Sequence, residues 1–278
     1  MRPPKGSAIY WVDEANDDWD TGTQRADVYG KVRLERRGIF ALISNIFYYG
    51  FIVPVLGLCL IFTGVKVVGK KKLKELKKKR VGYFFMSNHA GIKDVLVPHR
   101  LALPTRANTI GYSNAEDGFL LRSIVPMLGY FPIPDDPHKL PLFKRAIEWS
   151  IREKHQPVSI FPEAHLWPMY TGVRNFSRVS FRYPVDLDVP VVPLFFARRK
   201  RRGFWRLFKH PRVTCLVGDP LYPQKEGTLK ERMTDLRDRT YESLLTMSRS
   251  IEQEDYYRYT YRPLDEMEGE SSTGGDGQ

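Results

Sequence analysis

One long apolar segment constrains the fold of this chain more than any other feature. Residues 39–65 contain no charged side chain, and about 20 apolar residues are enough to cross a lipid bilayer. Such length and apolarity are uncommon in the helices of soluble proteins. The segment is therefore predicted to be a membrane-associated helical segment, and a buried helix of a soluble core is the alternative.

Basic residues flank this segment on both sides, whereas a single span normally carries its excess of Lys and Arg on one side only. They are Arg33, Arg36 and Arg37 before it, and Lys66 and Lys70 to Lys72 after it. This pattern favours an in-plane helix or a hairpin bent near Gly50 and Pro54, with both ends on the cytoplasmic face of a membrane. The first thirty residues are polar and acidic, so no cleavable signal peptide is predicted.

The charge of the chain indicates a polyanionic partner. The net charge is +12, from 44 Lys and Arg against 32 Asp and Glu, which fits a nucleic acid or an anionic membrane surface. Residues 198–209 mix cations with Trp and Phe, which favour the bilayer interface. Together with the apolar segment, this composition favours an anionic membrane surface as the partner rather than a nucleic acid. A solvated loop over residues 198–209 is the alternative. Two cysteines, Cys59 and Cys215, exclude a disulfide framework.

The chain divides into four predicted regions: a polar arm (1–38), the membrane-associated segment (39–65), an α/β domain (66–262) and a disordered tail (263–278). Strand-like and helix-like patterns alternate through the third region, which predicts a sheet covered by helices. Strands are predicted over 65–69, 81–86, 107–112, 130–133, 158–161, 189–196 and 213–217. Helices are predicted over 94–101, 117–128, 142–153 and 229–251.

The strongest local signal for chemistry is a histidine followed five residues later by an aspartate, His89 and Asp94. A carboxylate that orients an imidazole makes the histidine a general base. On a regular helix this spacing would put the two side chains on different faces. The pair can meet only if His89 lies on the turn before a helix and Asp94 lies inside it. A turn histidine beside an unrelated helix carboxylate is the alternative.

Further blocks follow in order, and together they resemble the glycerolipid acyltransferase family, typified by 1-acylglycerol-3-phosphate acyltransferases. Asn88, His89 and Asp94 match the NHxxxxD block of that family, and Phe161, Pro162 and Glu163 match its FPEG block. Residues 189–193 match its VPxxP-like strand. The resemblance extends from about Gly38 to Pro220. It implies an α/β fold with a mixed sheet flanked by helices, behind an N-terminal membrane-associated helical segment.

The resemblance also implies a reaction. His89 would take the proton from an acceptor hydroxyl, and Asp94 would orient His89. The acyl donor would be acyl-CoA or acyl carrier protein, the acceptor a lysolipid, and no metal or cofactor would be required. Substrate binding would involve a larger set: Asn88, Phe161, Pro162, Glu163, Arg174 and Arg178. A catalytically inactive lipid-binding or membrane scaffold protein of the same fold is the alternative.

Two positions depart from the family in a way that bears on the acceptor. Asp135 and Leu166 stand where the family usually carries arginines that bind an acceptor phosphate. A further departure is Ala164, which stands where the family carries a glycine. A phosphomonoester carries nearly two negative charges, so an acceptor with a less charged head, such as a lysophosphodiester or a glycolipid, is predicted. Arg174 and Arg178 are candidates to replace the missing arginines, or they are surface charges.

Overall fold

The computed structural model describes residues 4–11, 34–111, 127–134, 136–208 and 210–261, without the side chains of Phe204 and Trp205. Most of the predicted arm and most of the helix predicted over 117–128 lie outside the described residues. Asp135, Lys209 and the predicted tail over 263–278 lie outside them as well.

A seven-stranded sheet forms the centre of the protein. Its strands are β2 (Lys66–Val68), β3 (Phe84–Ser87), β4 (Asn108–Gly111), β5 (Tyr130–Pro132), β6 (Val158–Ile160), β7 (Val191–Arg199) and β8 (Arg212–Val217). Their order in the sheet is β2-β8-β7-β3-β6-β4-β5. The pair formed by β7 and β8 is antiparallel, and the other neighbouring pairs are parallel. The mixed α/β sheet that the sequence predicts is confirmed.

Helices cover both faces of this sheet, which explains why most side chains of its central strands are apolar and buried. One face packs against α4 (Leu140–Glu148), α5 (Arg182–Leu187) and α6 (Leu229–Arg249), and the other against α1 (Gly38–Phe62), α2 (Lys74–Lys78) and α3 (Ile92–Ala102). Side chains alternate between the faces, as in any strand: Phe84 and Phe195 join the first core, and Phe85 and Phe196 the second.

Helix α1 is continuous over Gly38–Phe62, so the predicted hairpin bend near Gly50 and Pro54 is wrong. Its middle, Tyr48–Ile52, is π-helical, and the amide of Val53 donates to the carbonyl of Tyr48. Proline lacks an amide hydrogen, and in a regular α-helix its ring clashes with the carbonyl group four residues earlier. The wider turn accommodates Pro54 within the helix.

One side of α1 is fixed to the domain along its length. The guanidinium of Arg106 donates to Ser44 Oγ at 3.0 Å, the Tyr48 hydroxyl lies 3.0 Å from His99 Nδ1, and Tyr49 donates to a backbone carbonyl. The other side is apolar and exposed. Its exposed members are Ile39, Leu42, Ile43, Ile46, Phe51, Val55, Leu58, Ile61 and Phe62. By length and composition alone this helix could cross a membrane.

A second, two-stranded sheet joins the two ends of the described chain. Strand β1 (Ala8–Trp11) pairs in parallel with β9 (Arg258–Tyr261), and neither strand was predicted. The segment before β9 is attached to the large sheet, because the amide of Glu254 donates to the carbonyl of Arg198 at 2.7 Å. The small sheet therefore lies beside the end of β7.

Candidate active site

The turn that follows β3 is fixed to β7 by Asn88. The amide of Phe196 donates to Asn88 Oδ1 at 2.8 Å, and Asn88 Nδ2 donates to the carbonyl of Phe196 at 3.4 Å. The Asn88 side chain is buried, so it continues the sheet's hydrogen bonding one residue beyond the strand. This contact sets the position of the next residue, His89.

His89 and Asp94 take the places that their spacing requires. His89 lies on the turn after β3, and Asp94 lies in the first turn of α3. His89 Nδ1 is 3.9 Å from Asp94 Oδ2, which is an ionic approach but too long for a hydrogen bond. The imidazole stacks on the Phe161 ring, with centroids 4.2 Å apart and planes 29° apart.

The Asp94 carboxylate is held mainly by Arg198. Arg198 Nη2 donates to both carboxylate oxygens, at 3.0 and 2.7 Å, and the amide of Ala90 donates to Oδ2 at 2.8 Å. Asp94 and Arg198 are both buried. The sequence placed Arg198 in a membrane-docking surface, and for this residue that prediction is wrong. A buried carboxylate requires a charged or hydrogen-bonding partner, and Arg198 provides one from the end of the neighbouring strand β7.

Glu163 connects the turn that carries His89 to the chain that follows β6. Its Oε2 accepts from the amide of His89 at 3.1 Å and its Oε1 from the amide of Arg174 at 3.0 Å. The Arg174 guanidinium lies 3.4 Å from Oε2. Burial raises the pKa of Glu163 to about 7, against the opposing effects of Arg174 and the two amides.

The loop after Glu163 runs alongside the turn that carries His89. The amide of Trp167 donates to the carbonyl of His89 at 3.3 Å, and the amide of Met169 to that of Ala90 at 2.8 Å. Ala164 has a φ of 64°, a left-handed conformation that glycine adopts without strain. This geometry gives a physical reason for the glycine that the resembling family carries at this position.

Arg174 is enclosed by this loop. Its guanidinium also donates to the carbonyl of His165, and it lies 4.7 Å from the centre of the Trp167 ring. Because Arg174 and Glu163 are both buried, the geometry favours a positioning role for this pair. A direct contact of either side chain with the acceptor stays a prediction.

The remaining predicted site residues lie in two different environments. Pro162 is buried directly beside Phe161. Arg178 is exposed at the start of a 3-10 helix, Arg178–Phe181. Among the described residues, no hydrogen bond or ion pair joins Arg178 to the turn that carries His89. Its proposed contact with the substrate stays a prediction.

Additional charged and ionisable groups surround the His89 and Asp94 pair. Burial lowers the pKa of Lys93, and the charges of Arg201 and Arg198 lower it further. Burial raises the pKa of the Cys215 thiol, and the negative charge of Asp94 raises it further. Within the part of the chain that the structure describes, no group of three His, Cys, Asp or Glu side chains could hold a metal ion.

The fold is similar to a solved structure of known activity. It matches the crystal structure of the 1-acyl-sn-glycerophosphate (LPA) acyltransferase PlsC from Thermotoga maritima, with a TM-score of 0.50 and 16% sequence identity. The match covers 76% of this chain and 92% of the Thermotoga chain. No protein family matches the sequence, and no curated protein matches it. At this identity the similarity shows the fold alone.

Proposed function

We propose that this protein is a membrane-bound O-acyltransferase. It moves a fatty acyl group from a thioester donor, acyl-CoA or acyl carrier protein, to a hydroxyl of a lysophospholipid or related glycerolipid. The observation that carries the proposal is the position of His89. It lies on a fixed turn between β3 and α3, 3.9 Å from a buried carboxylate, in a fold similar to that of an LPA acyltransferase.

The reaction begins when His89 removes the proton from the acceptor hydroxyl. The oxygen then attacks the thioester carbonyl and forms a tetrahedral intermediate. The first amides of α3 have no partner within the helix, and they are suited to stabilise the oxyanion. Collapse of the intermediate forms the ester and expels the thiolate, which receives the proton from the imidazolium of His89.

Asp94 orients the imidazole and stabilises the imidazolium that forms during the reaction. The separation of 3.9 Å between His89 Nδ1 and Asp94 Oδ2 must shorten by about 1 Å for a hydrogen bond. Catalytic hydrogen bonds are often long before substrate binds. Arg198, Glu163 and Arg174 act through this pair: the first holds Asp94, and the other two hold the turn and the loop beside it.

The exposed apolar side of α1 supports an in-plane association with a membrane. Hydrogen bonds from Arg106, Tyr48 and Tyr49 join α1 to the α/β domain, which supports a helix that lies along the domain rather than a span that stands apart from it. Strand β1 precedes α1 and pairs with β9, which follows it. The segments before and after the helix are therefore proposed to lie on one face of the bilayer, the cytoplasmic face.

The acceptor is proposed to have a less charged head than a phosphomonoester. Bidentate arginine contacts are the strongest that a phosphate can receive. Leu166 offers no such contact, and the Arg174 guanidinium is buried against Glu163. A lysophosphodiester or a glycolipid avoids the need for two arginines.

An acceptor screen tests the proposal. Purified protein in mixed micelles receives labelled acyl-CoA or acyl-loaded carrier protein together with a panel of lysolipids, and the products are resolved by mass. We expect one acceptor class to be acylated by the wild-type protein and not by the His89→Ala variant. Transfer that is equal in both proteins would refute the role of His89.

The alternative is a lipid-binding or membrane scaffold protein without catalysis. It is favoured by the absence of a hydrogen bond between His89 and Asp94. In the same screen, this alternative predicts that the amount of panel lipid bound to the protein rises with the amount of protein added. It also predicts that no acylated product forms with either donor.

A further inference from the structure

A basic loop is attached to the C-terminal end of the apolar helix. The loop between β7 and β8 carries Arg201, whose Nη1 donates to the carbonyl of Thr63 at 3.1 Å. Arg212, at the start of β8, donates through Nε to the carbonyl of Gly64 at 2.5 Å. These bonds fix the loop beside the last turn of α1.

Large apolar side chains are exposed on both sides of this attachment. Leu207 is 77% exposed and Phe208 42% exposed on the loop, and Ile61 is 66% and Phe62 64% exposed on the helix. The Arg201 guanidinium lies 4.9 Å from the centre of the Phe208 ring, so one side chain bridges the loop and the helix end. Neighbouring exposed apolar side chains of this size mark an interaction surface.

Cations border these apolar side chains. Lys200, Arg202 and Arg206 are exposed on the same loop. The buried members of the basic stretch have other tasks: Arg198 holds Asp94, and Arg201 holds the helix end. The exposed positive charge in the described part of this loop therefore comes from Lys200, Arg202 and Arg206, on the same loop as Leu207 and Phe208.

This surface lies at the same end of the strands as the turn that carries His89. Strands β3 and β7 are parallel neighbours, so this turn and the loop after β7 both leave the sheet at the C-terminal ends of these strands. Strand β2 begins at that same end, directly after α1, because it is parallel to β8 and β8 is antiparallel to β7. Burial lowers the pKa of Lys93, and the charge of Arg201 lowers it further, so the loop after β7 lies near the start of α3.

We propose that this part of the protein is a docking surface for a bilayer that contains anionic phospholipid. We call it the docking rim; it consists of the apolar residues Ile61, Phe62, Leu207 and Phe208 and the cations Lys200, Arg202 and Arg206. It continues the exposed apolar side of α1, and its charge complements anionic headgroups. Docking holds the catalytic turn at the headgroup layer, so that a lipid acceptor enters the site laterally from the membrane. This last step rests on the proposed acyl transfer.

Vesicle flotation of the full chain tests the docking rim. Vesicles of phosphatidylcholine alone are compared with vesicles that also contain phosphatidylglycerol. We expect a triple variant, Lys200→Gln with Arg202→Gln and Arg206→Gln, to lose up to about a hundredfold in affinity for the anionic vesicles only. A double variant, Leu207→Ser with Phe208→Ser, should bind both vesicle types more weakly.

Val179→Ser is the matched control. Val179 is 67% exposed, as Leu207 is largely exposed, but it precedes α5 on the opposite face of the sheet. This variant should bind vesicles as the wild type does. Unchanged binding of the rim variants to anionic vesicles would overturn the proposal. So would a triple variant that loses affinity for nucleic acid alone.

Activity measurements separate this inference from the proposed function. Transfer is measured to an acceptor embedded in anionic vesicles and to a short-chain acceptor free in solution. We expect the rim variants to lose transfer to the embedded acceptor far more than to the soluble one. Equal losses would contradict the docking rim. If the wild type acylates neither acceptor, the proposed function fails, and vesicle flotation still decides the docking rim.

Discussion

Arg198 and Asp94 form an ion pair between the end of β7 and the first turn of α3, in which Arg198 Nη2 donates to both carboxylate oxygens and both side chains are buried. The carboxylate of the proposed catalytic pair is therefore oriented by a guanidinium and a backbone amide before it interacts with His89. A charged carboxylate at this depth depends on its partners, because an isolated buried charge is strongly unfavourable.

Removal of Arg198 should destabilise the fold and reduce turnover together. We expect Arg198→Gln to lower the free energy of unfolding by about 3–5 kcal/mol, because it leaves the Asp94 charge buried without its partner. Arg198→Lys should retain part of both stability and kcat. In a double-mutant cycle, Arg198→Gln should cost much less when Asp94→Asn is already present. Additive losses in urea unfolding and in kcat would show that Arg198 does not act through Asp94.

Replacement of His89 should abolish chemistry and leave the fold intact. A general base contributes roughly 10²–10⁴-fold to rate, so His89→Ala should lower kcat by that factor with an unchanged circular dichroism spectrum. Asp94→Asn should be nearly as harmful, because control of the imidazole tautomer is lost. Steady-state rates with the acceptor found in the screen provide the measurement. Wild-type turnover in His89→Ala would show that the mechanism is wrong.

Asn88 distinguishes positioning from substrate binding. Because its amide group bridges β3 to Phe196, Asn88→Ala should cost about 1–3 kcal/mol in unfolding free energy. It should also lower kcat, since His89 follows directly. A raised KM for the acceptor with unchanged stability would instead support the direct substrate contact that the family resemblance implies.

Glu163 should make stability depend on pH. Burial raises its pKa from 4.5 to about 7 in the folded protein, whereas the unfolded chain releases this proton near 4.5. Between these values the folded state binds more protons, so the unfolding free energy falls as pH rises, by up to about 1.4 kcal/mol per unit of pKa difference. Urea unfolding at about pH 5 and about pH 8 measures the slope. Glu163→Gln should remove this contribution, and an unchanged slope in the variant would assign the effect to another group.

Residues before and after α1 should be accessible from one side of a membrane. Cysteines introduced at Ser7 and Ser180 are labelled with an impermeant reagent in sealed vesicles, in a Cys59→Ser background because Cys59 is exposed and Cys215 is buried. We expect both positions to react from the same side, since β1 and β9 are paired. Labels on opposite faces would indicate a single span.

Periodicity and motif order predict the central elements of the fold. The strand β3 before His89, the helix α3 after it and the long helix α6 lie where the sequence predicts them, within a few residues. Their apolar patterns reflect burial against a sheet, and local sequence reports burial well. The spacing of His89 and Asp94 also specified the turn and helix positions that bring them near each other.

Partners distant in sequence escape such reasoning. Arg198 lies 104 residues from Asp94, and in the sequence it is one cation in a basic run. Only the adjacency of β3 and β7 gives it a role. The strand β1 was missed because four residues in a polar arm carry no clear period, and its partner β9 lies at the other end of the chain. The sequence does not predict the π-helical turn in α1, because a proline inside a helical pattern, here Pro54 four residues after Gly50, ordinarily indicates a kink or the end of a helix.

The pairing of Ala8 with Arg258 also sets an order in time. Domains form from the N-terminus as the chain is synthesised, and the segment between these two residues takes on the order of tens of seconds to synthesise. Strand β1 is made before the large sheet, and its partner β9 is made after it. Trp11 and Tyr259 pack on Trp167, whose amide contacts the carbonyl of His89. The aromatic layer over the turn that carries His89 therefore forms only after synthesis of the large sheet. A chain that stops before Arg258 would contain all seven strands of the large sheet, but Trp11 would lack its partner strand.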